Sequence, residues 1–312
     1  MMRANSFFLS LKYTLYDSSD VISLLILPDK RLATCSGEGA IKIYNSSTFK
    51  EEIVIEKAHD GKCINYLSSL NTTTLLSCGE DLNIKIWNIK QDILELITTL
   101  SKHKNIVFQV IPLSLNRFAS CSNDNTIIIW NAQPPYDIIN IFDLRNGWVY
   151  SILELKDKNI LVSGSDDKYL QFWDLEKYDL IKCIDNIDCC DTHALYEMDN
   201  NTLLVGGRNV ITIINTKNYT IINSISNKKF YEISSFVKLD EIVFICGCGD
   251  QVAKGNFFII NMKNPKNIES FESVHYSFVN HLIEKENNEL ISCGSDKKIK
   301  IWVYSKKYKG EV

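Results

Sequence analysis

The stretch Leu161–Asp174 reads LVSGSDDKYLQFWD, and its outline returns along the chain. It recurs as LATCSGEGAIKIYN at Leu32–Asn45, LLSCGEDLNIKIWN at Leu75–Asn88, FASCSNDNTIIIWN at Phe118–Asn131 and LISCGSDKKIKIWV at Leu290–Val303. The aromatic residue near the end of each outline is a convenient marker: Tyr44, Trp87, Trp130, Trp173 and Trp302. The first three steps are 43 residues each, and the gap from Trp173 to Trp302 is 129, three times that period. Two degenerate copies fill the gap. LLVGGRNVITIIN at Leu203–Asn215 puts Ile214 in the marker slot, and VFICGCGDQVAKGNFFIIN at Val243–Asn261 puts Ile260 there, which makes seven copies. Self-similarity at such a period signals a repeat architecture, in which one supersecondary unit is stacked many times.

Each copy reads as β. Apolar and β-branched residues alternate or run for about five residues before Gly, Asp, Asn and Ser turns intervene. Around Trp173 the pattern predicts four strands, Trp148–Leu155, Asn159–Ser163, Tyr169–Trp173 and Tyr178–Ile184. No helical periodicity persists. Four strands per copy, closed by Trp-Asp or Trp-Asn, resemble the WD40 repeat, and the resemblance covers nearly the whole chain. It implies an all-β fold, a seven-bladed β-propeller of four-stranded antiparallel blades, with residues 1–312 forming one propeller. A lone blade cannot bury both faces, whereas seven around an axis bury each face on a neighbour. The seventh copy lacks a fourth strand, and a strand-like segment, Phe7–Tyr16, precedes the first. The resemblance implies that residues 7–16 complete the last blade and leave 304–312 as a short tail.

Composition narrows the function classes. The 312 residues are 45% hydrophobic and 23% charged, with a net charge of −4, so neither disorder nor a general basic field for nucleic acid or anionic membranes is expected. No apolar run approaches the roughly 18 residues of a membrane span. The run Phe7–Leu11 falls short of the about 7–15 residues of a secretory core, which argues against a signal peptide. Ten cysteines in a chain this long point to a reducing compartment, with a cytoplasmic location expected and a nuclear one open. Asn45 and Asn218 then sit in unused glycosylation look-alikes.

Many WD40 blades carry a His–Ser/Thr–Asp–Trp hydrogen-bond network. By resemblance the second copy supplies His59, Ser77, Asp81 and Trp87, the third His103, Ser120, Asp124 and Trp130, and the seventh His275, Ser292, Asp296 and Trp302. The fourth has Ser163, Asp167 and Trp173, with Arg145 at the histidine position. Recurrence argues for scaffold and against a catalytic triad. The first copy departs with Thr34, Glu38 and Tyr44. The fifth and sixth have no recognisable network, so those blades are expected to be less rigid or held by other contacts.

Cys35, Cys78, Cys121 and Cys293 all lie nine residues before their marker; Gly164 takes that slot in the fourth copy and Cys246 the matching position in the sixth. A slot filled by Cys or Gly is a small-residue packing position. Cys189–Cys190 and Cys246–Cys248 have no partner pair at zinc spacing, so no metal or cofactor is expected. Gly247–Gly255 contains a GxG flanked by strands, which reads as a hairpin turn about five residues longer than the regular one. No HExxH, P-loop or GxSxG motif is present, and no enzyme chemistry is specified.

Family members commonly bind peptides and proteins on the top face. Aligning residues just before and just after the first apolar residue of each first strand gives Asp20 and Ile22, Lys62 and Ile64, Ile106 and Phe108, Trp148 and Tyr150. The later copies give Asp191 and His193, Tyr231 and Ile233, Phe278 and Asn280. Four of the five tryptophans fill the marker slot; the fifth, Trp148, falls on this face. The expected partner site is therefore Trp148, Tyr150 and Phe108, with Tyr231 and Phe278 across the channel and Asp20, Asp166 and Asp191 as charged neighbours. Exposed aromatics beside carboxylates suit a protein surface or a cationic side chain. The expected function is a non-enzymatic scaffold or adaptor in a larger complex. A reader of Arg/Lys-containing peptide tails is the alternative. A propeller enzyme is a weaker reading, since only His193 and Asp191 are non-repeated candidates. The absence of Arg three residues after the marker, where Lys90, Gln133 and Glu176 stand, disfavours a cullin-ligase receptor.

Overall fold

A computed structural model describes residues 6–144, 147–185, 187, 194–249, 254–266 and 268–307. These residues form seven four-stranded antiparallel sheets, and a single 3-10 turn, Lys156–Lys158, is the only helical piece among them. In blade 4 the strands are Val149–Leu155, Ile160–Ser165, Leu170–Asp174 and Leu180–Ile184, within two residues of the pattern's expectation. The first strands of the blades touch one another in a closed cycle that returns from blade 7 to blade 1. The chain is thus a seven-bladed β-propeller with the first strands lining a central channel.

The core is divided among the seams. Seven apolar clusters each join one blade to the next, so every blade buries both faces. Val21, Leu24 and Tyr44 of blade 1, for example, pack on Ile291, Ile299 and Ile301 of blade 7. The ring closes through the N-terminus. Ser6–Tyr16 pairs antiparallel with Lys298–Lys307 and is the outer strand of blade 7. The partner strand runs on to Lys307, so residues 304–307, expected as tail, are strand that Ser6–Tyr16 requires as its template.

The small-residue slot shows why the repeat is written as it is. Each slot residue pairs with the residue three before the marker: Cys35 with Ile41, Cys78 with Ile84, Cys121 with Ile127, Gly164 with Leu170 and Cys293 with Ile299. The register corrects the degenerate copies. Gly206 pairs with Ile211 and Gly247 with Phe257, so the sixth slot is Gly247, where Cys246 was expected, and the longer turn has four extra residues, one fewer than expected. All seven slots therefore hold Cys or Gly. A Cβ on Gly206 would lie 2.8 Å from Ile233, and one on Gly247 would lie 2.7 Å from Val279, in each case the first strand of the next blade. The blades converge toward the axis there, and only a small residue fits. Five residues before the marker the backbone is left-handed at Gly39, Leu82, Asn125, Lys168, Asn209 and Lys297. This shared turn holds even where the residue is not glycine, so the blade overrides a local cost.

Blades 5 and 6 are held by rings. Phe230 meets Phe258 edge-on at 4.8 Å, and Phe236 meets Phe244 edge-on at 5.6 Å, all four buried in the seam. Phenylalanines fill the space there, and apolar packing replaces the polar network of the other blades.

Candidate functional site at the channel mouth

The polar networks are continuous. In blade 3, His103 Nδ1 lies 2.9 Å from Asp124, its Nε2 lies 2.7 Å from Ser120 Oγ, and the Trp130 indole N–H donates to the same Oγ at 2.9 Å. His59, Ser77, Asp81 and Trp87 repeat this with 2.7, 2.7 and 2.8 Å. His275, Ser292, Asp296 and Trp302 do so with 2.8, 2.7 and 2.9 Å. Burial, the largest single influence, pushes the three aspartates up, yet the histidine hydrogen bond, the attraction of the same ring and further hydrogen bonds together outweigh it and hold Asp81, Asp124 and Asp296 below the ordinary carboxylate range. In blade 4 Trp173 donates to Ser163 Oγ at 2.9 Å, while Asp167 takes the Ser165 hydroxyl and the Tyr169 amide. Arg145 lies outside the described residues. In blade 1 a buried lysine takes over: Lys42 Nζ reaches Asp17 at 3.0 Å. These networks lie in the blade walls, and the serine and histidine side chains in them are buried.

The channel contains a cavity of about 440 Å³ lined by all seven first strands. Six of these strands begin with a bulge that turns one side chain toward the axis: Ile22, Asn65, Phe108, Tyr150, Ser234 and Asn280. The bulge corrects two alignments by one residue. Ile64 and Ile233, expected at the channel, are buried in the seams, and Asn65 and Ser234 stand at the channel instead. Asp191 and His193 lie outside the described residues, as do Cys189 and Cys190.

Most polar groups on this wall stitch the blades together. Asn65 donates to Val107 O at 2.9 Å and Asn280 to Val21 O at 2.8 Å, each across a seam. Gln109 accepts the Ile152 amide at 2.7 Å. His281 Nδ1 accepts the Leu24 amide at 3.1 Å, beside Ser23 Oγ, with Tyr66 tilted 5.8 Å away. Sequence reasoning missed Asn65, Tyr66, Gln109 and His281, because the first strands are the least regular part of the repeat.

An amide N–H can only donate, so His281 must be neutral at Nδ1 to accept it. Burial lowers its pKa to about 4. The sign follows from proton binding. Between about 4 and the ordinary histidine value near 6.5, the unfolded chain binds more protons, so this contribution is complete above 6.5 and is lost as pH falls toward 4. We expect a loss of about 2–3 kcal/mol across that window. Denaturant midpoints at several pH values check it: wild type should lose more stability between pH 7 and 4.5 than His281→Gln. Parallel curves for the two proteins would contradict it.

The rings are arranged differently from the polar groups. Phe108 and Tyr150 lie 4.8 Å apart, and Trp148 meets Tyr150 edge-on at 6.3 Å. Tyr150 is 8% exposed and wedged between the other two, whereas Trp148 is 46% exposed. Phe108 lines the cavity, so the three rings run from the channel out to the rim. Asp166 accepts the Trp148 amide at 2.7 Å and fixes the loop that presents the indole. Across the mouth, Tyr231 and Phe278 are 6.5 Å apart, with the Arg208 guanidinium 5.2 Å from the Tyr231 ring centre. Phe278 packs against Gly249, where a Cβ would overlap its ring. Asp20 is half-buried at the head of blade 1.

A closed ring of seven four-stranded blades with its first strands around a channel defines a repeat protein of the propeller class. The profile described as "WD domain, G-beta repeat" matches residues 50–88, 94–131, 139–174 and 267–303, the second, third, fourth and seventh copies. With seven blades in one period, the chain belongs to the WD40-repeat family, whose propellers generally serve as protein-interaction scaffolds. A comparison with curated proteins finds no match. Among the described residues no group of His, Cys, Asp and Glu is placed to hold a metal, and no helix is long and apolar enough to cross a membrane.

Proposed function

We propose that this protein is a non-enzymatic interaction module, an adaptor that holds a protein or peptide partner over the channel mouth. The carrying observation is the ring series Phe108–Tyr150–Trp148, which ends in an indole that is 46% exposed although the repeat does not require a tryptophan there. A large ring held at low conformational cost, with its loop pinned by Asp166, is the usual make-up of an interface hot spot. Tyr231, Phe278 and Asp20 form the far side of the same mouth, and Asp191 belongs to it by sequence position. The eight described cysteines are mostly buried and none is joined to another in a disulfide, which supports a reducing compartment, cytoplasm or nucleus.

The test is a displayed peptide library selected on the wild-type protein. Enriched peptides are expected to bind Trp148→Ala about 30-fold more weakly, equivalent to about 2 kcal/mol. Equal affinity for both proteins would move the partner site elsewhere.

A further inference from the structure

Among the described residues every blade ends in an outer strand with no further strand on its outer edge, and such an edge can template another strand unless a charge, a proline or a cover blunts it. Six of the seven outer strands carry a charge: Glu51 and Glu52, Glu95, Asp143, Lys182, Glu269 and Glu272, and Lys12. Thr220–Ser226 of blade 5, TIINSIS, carries none and contains no proline. All but Ile225 of its residues are exposed, with Ile221 at 48% and Ile222 at 55%. Among the described residues it pairs with Val210–Asn215 on one side and with no strand on the other.

We propose that this edge is a self-association surface, on which two copies of the chain pair Thr220–Ser226 antiparallel to itself. The charge pattern selects this occupant. A two-fold antiparallel pair brings a strand against its own copy, so a charge near the middle of the strand is brought close to the same charge on the other chain, which opposes pairing, while a charge at either end, such as Glu95 or Asp143, stays apart from its copy but still has to be set against the partner strand. Lys182, at the middle of Leu180–Ile184, would face itself. Two acidic residues each burden Glu51–Ile55 and Ile268–His275. Among the outer strands Thr220–Ser226 alone brings no charge to the contact in any register. Pairing about its central residue sets Asn223 opposite Asn223, whose Oδ1 accepts the Ser224 amide at 2.9 Å and whose side-chain N–H groups can donate to the other chain, and covers Ile221 and Ile222. Seven residues span about 24 Å, a small interface, so the association is weak and concentration-dependent. Because the contact is isologous, it closes at two copies.

Sedimentation velocity of the full chain over roughly 5–300 µM, the range of weak transient contacts, tests the proposal. Wild type should shift from monomer to dimer. Ile222→Lys and Ser224→Lys, both at exposed positions, should each weaken the dimer at least about tenfold, whereas Ile97→Lys on the blade 2 rim should not. Monomer at every concentration overturns the proposal. So does a dimer that survives both blade 5 variants, one that Ile97→Lys also abolishes, or assembly beyond two copies.

Discussion

Removing residues 1–16 is expected to cost this protein more stability than any single substitution. Within that segment, Ser6–Tyr16 is the outer strand of blade 7, paired along its length with Lys298–Lys307. Phe7 is buried at 4% exposure against Tyr304, and Leu9 and Leu15 pack on the two seams that flank blade 7. Lys12 also pairs with Glu289, which is buried and bonded to Lys285 as well. Apolar burial worth about 1.5–3 kcal/mol per fully buried side chain puts the loss at about 5 kcal/mol or more. The deletion also uncovers the edge of Lys298–Lys307, with Trp302 and Tyr304 on it. We expect a lower melting temperature together with aggregation seen by light scattering. A monomeric truncated protein with unchanged melting temperature would mean that the ring does not depend on this strand.

Trp130→Ala carries the second largest expected effect. Trp130 is 1% exposed, stacks on Phe118 at 5.7 Å with the rings 5° from parallel, and donates to Ser120. Truncation leaves a cavity in the seam between blades 2 and 3 and removes one partner of a buried hydroxyl. The expected cost is about 3–5 kcal/mol. A melting temperature lower by about 6–15 °C is the corresponding readout. A change of a degree or two would show that the marker tryptophan is not the packing centre of its blade.

The closing strand was implied by the WD40 resemblance, and the period of 43 residues made the blade count legible before any coordinates. It did so because each blade meets the same packing demand, and a repeated demand leaves a repeated sequence. The slot nine residues before the marker was legible for the same reason in five copies. In the fifth it lies eight residues before the marker and in the sixth thirteen, since the turn length changes there and only the ladder register reveals Gly206 and Gly247. The channel was harder to read. The bulge that aims a residue at the axis shifts by one against the apolar pattern, which exchanged Ile64 for Asn65 and Ile233 for Ser234. Bonds such as His281 to Leu24 join residues more than 250 positions apart and leave no local pattern. The phenylalanines between blades 5 and 6 replace a network whose absence was visible, but what replaced it depends on which faces meet. Trp148 was legible as the tryptophan that the repeat does not explain; its exposure and the bond from its amide to Asp166 required the fold.

Two tryptophans in one chain therefore have opposite assignments, and they can be compared directly. Trp148→Ala should leave the melting temperature nearly unchanged, since exposed substitutions usually stay within about ±0.5 kcal/mol. The same variant should lose about 2 kcal/mol of affinity for a peptide selected on the wild type. Trp130→Ala should do the reverse, losing stability while the fraction that remains folded binds normally. The decisive measurement is the melting temperature and the peptide affinity of Trp148→Ala on a single preparation. Unchanged melting with weakened binding is the predicted result; unfolding, or full affinity in a folded protein, would contradict a partner site at the channel mouth.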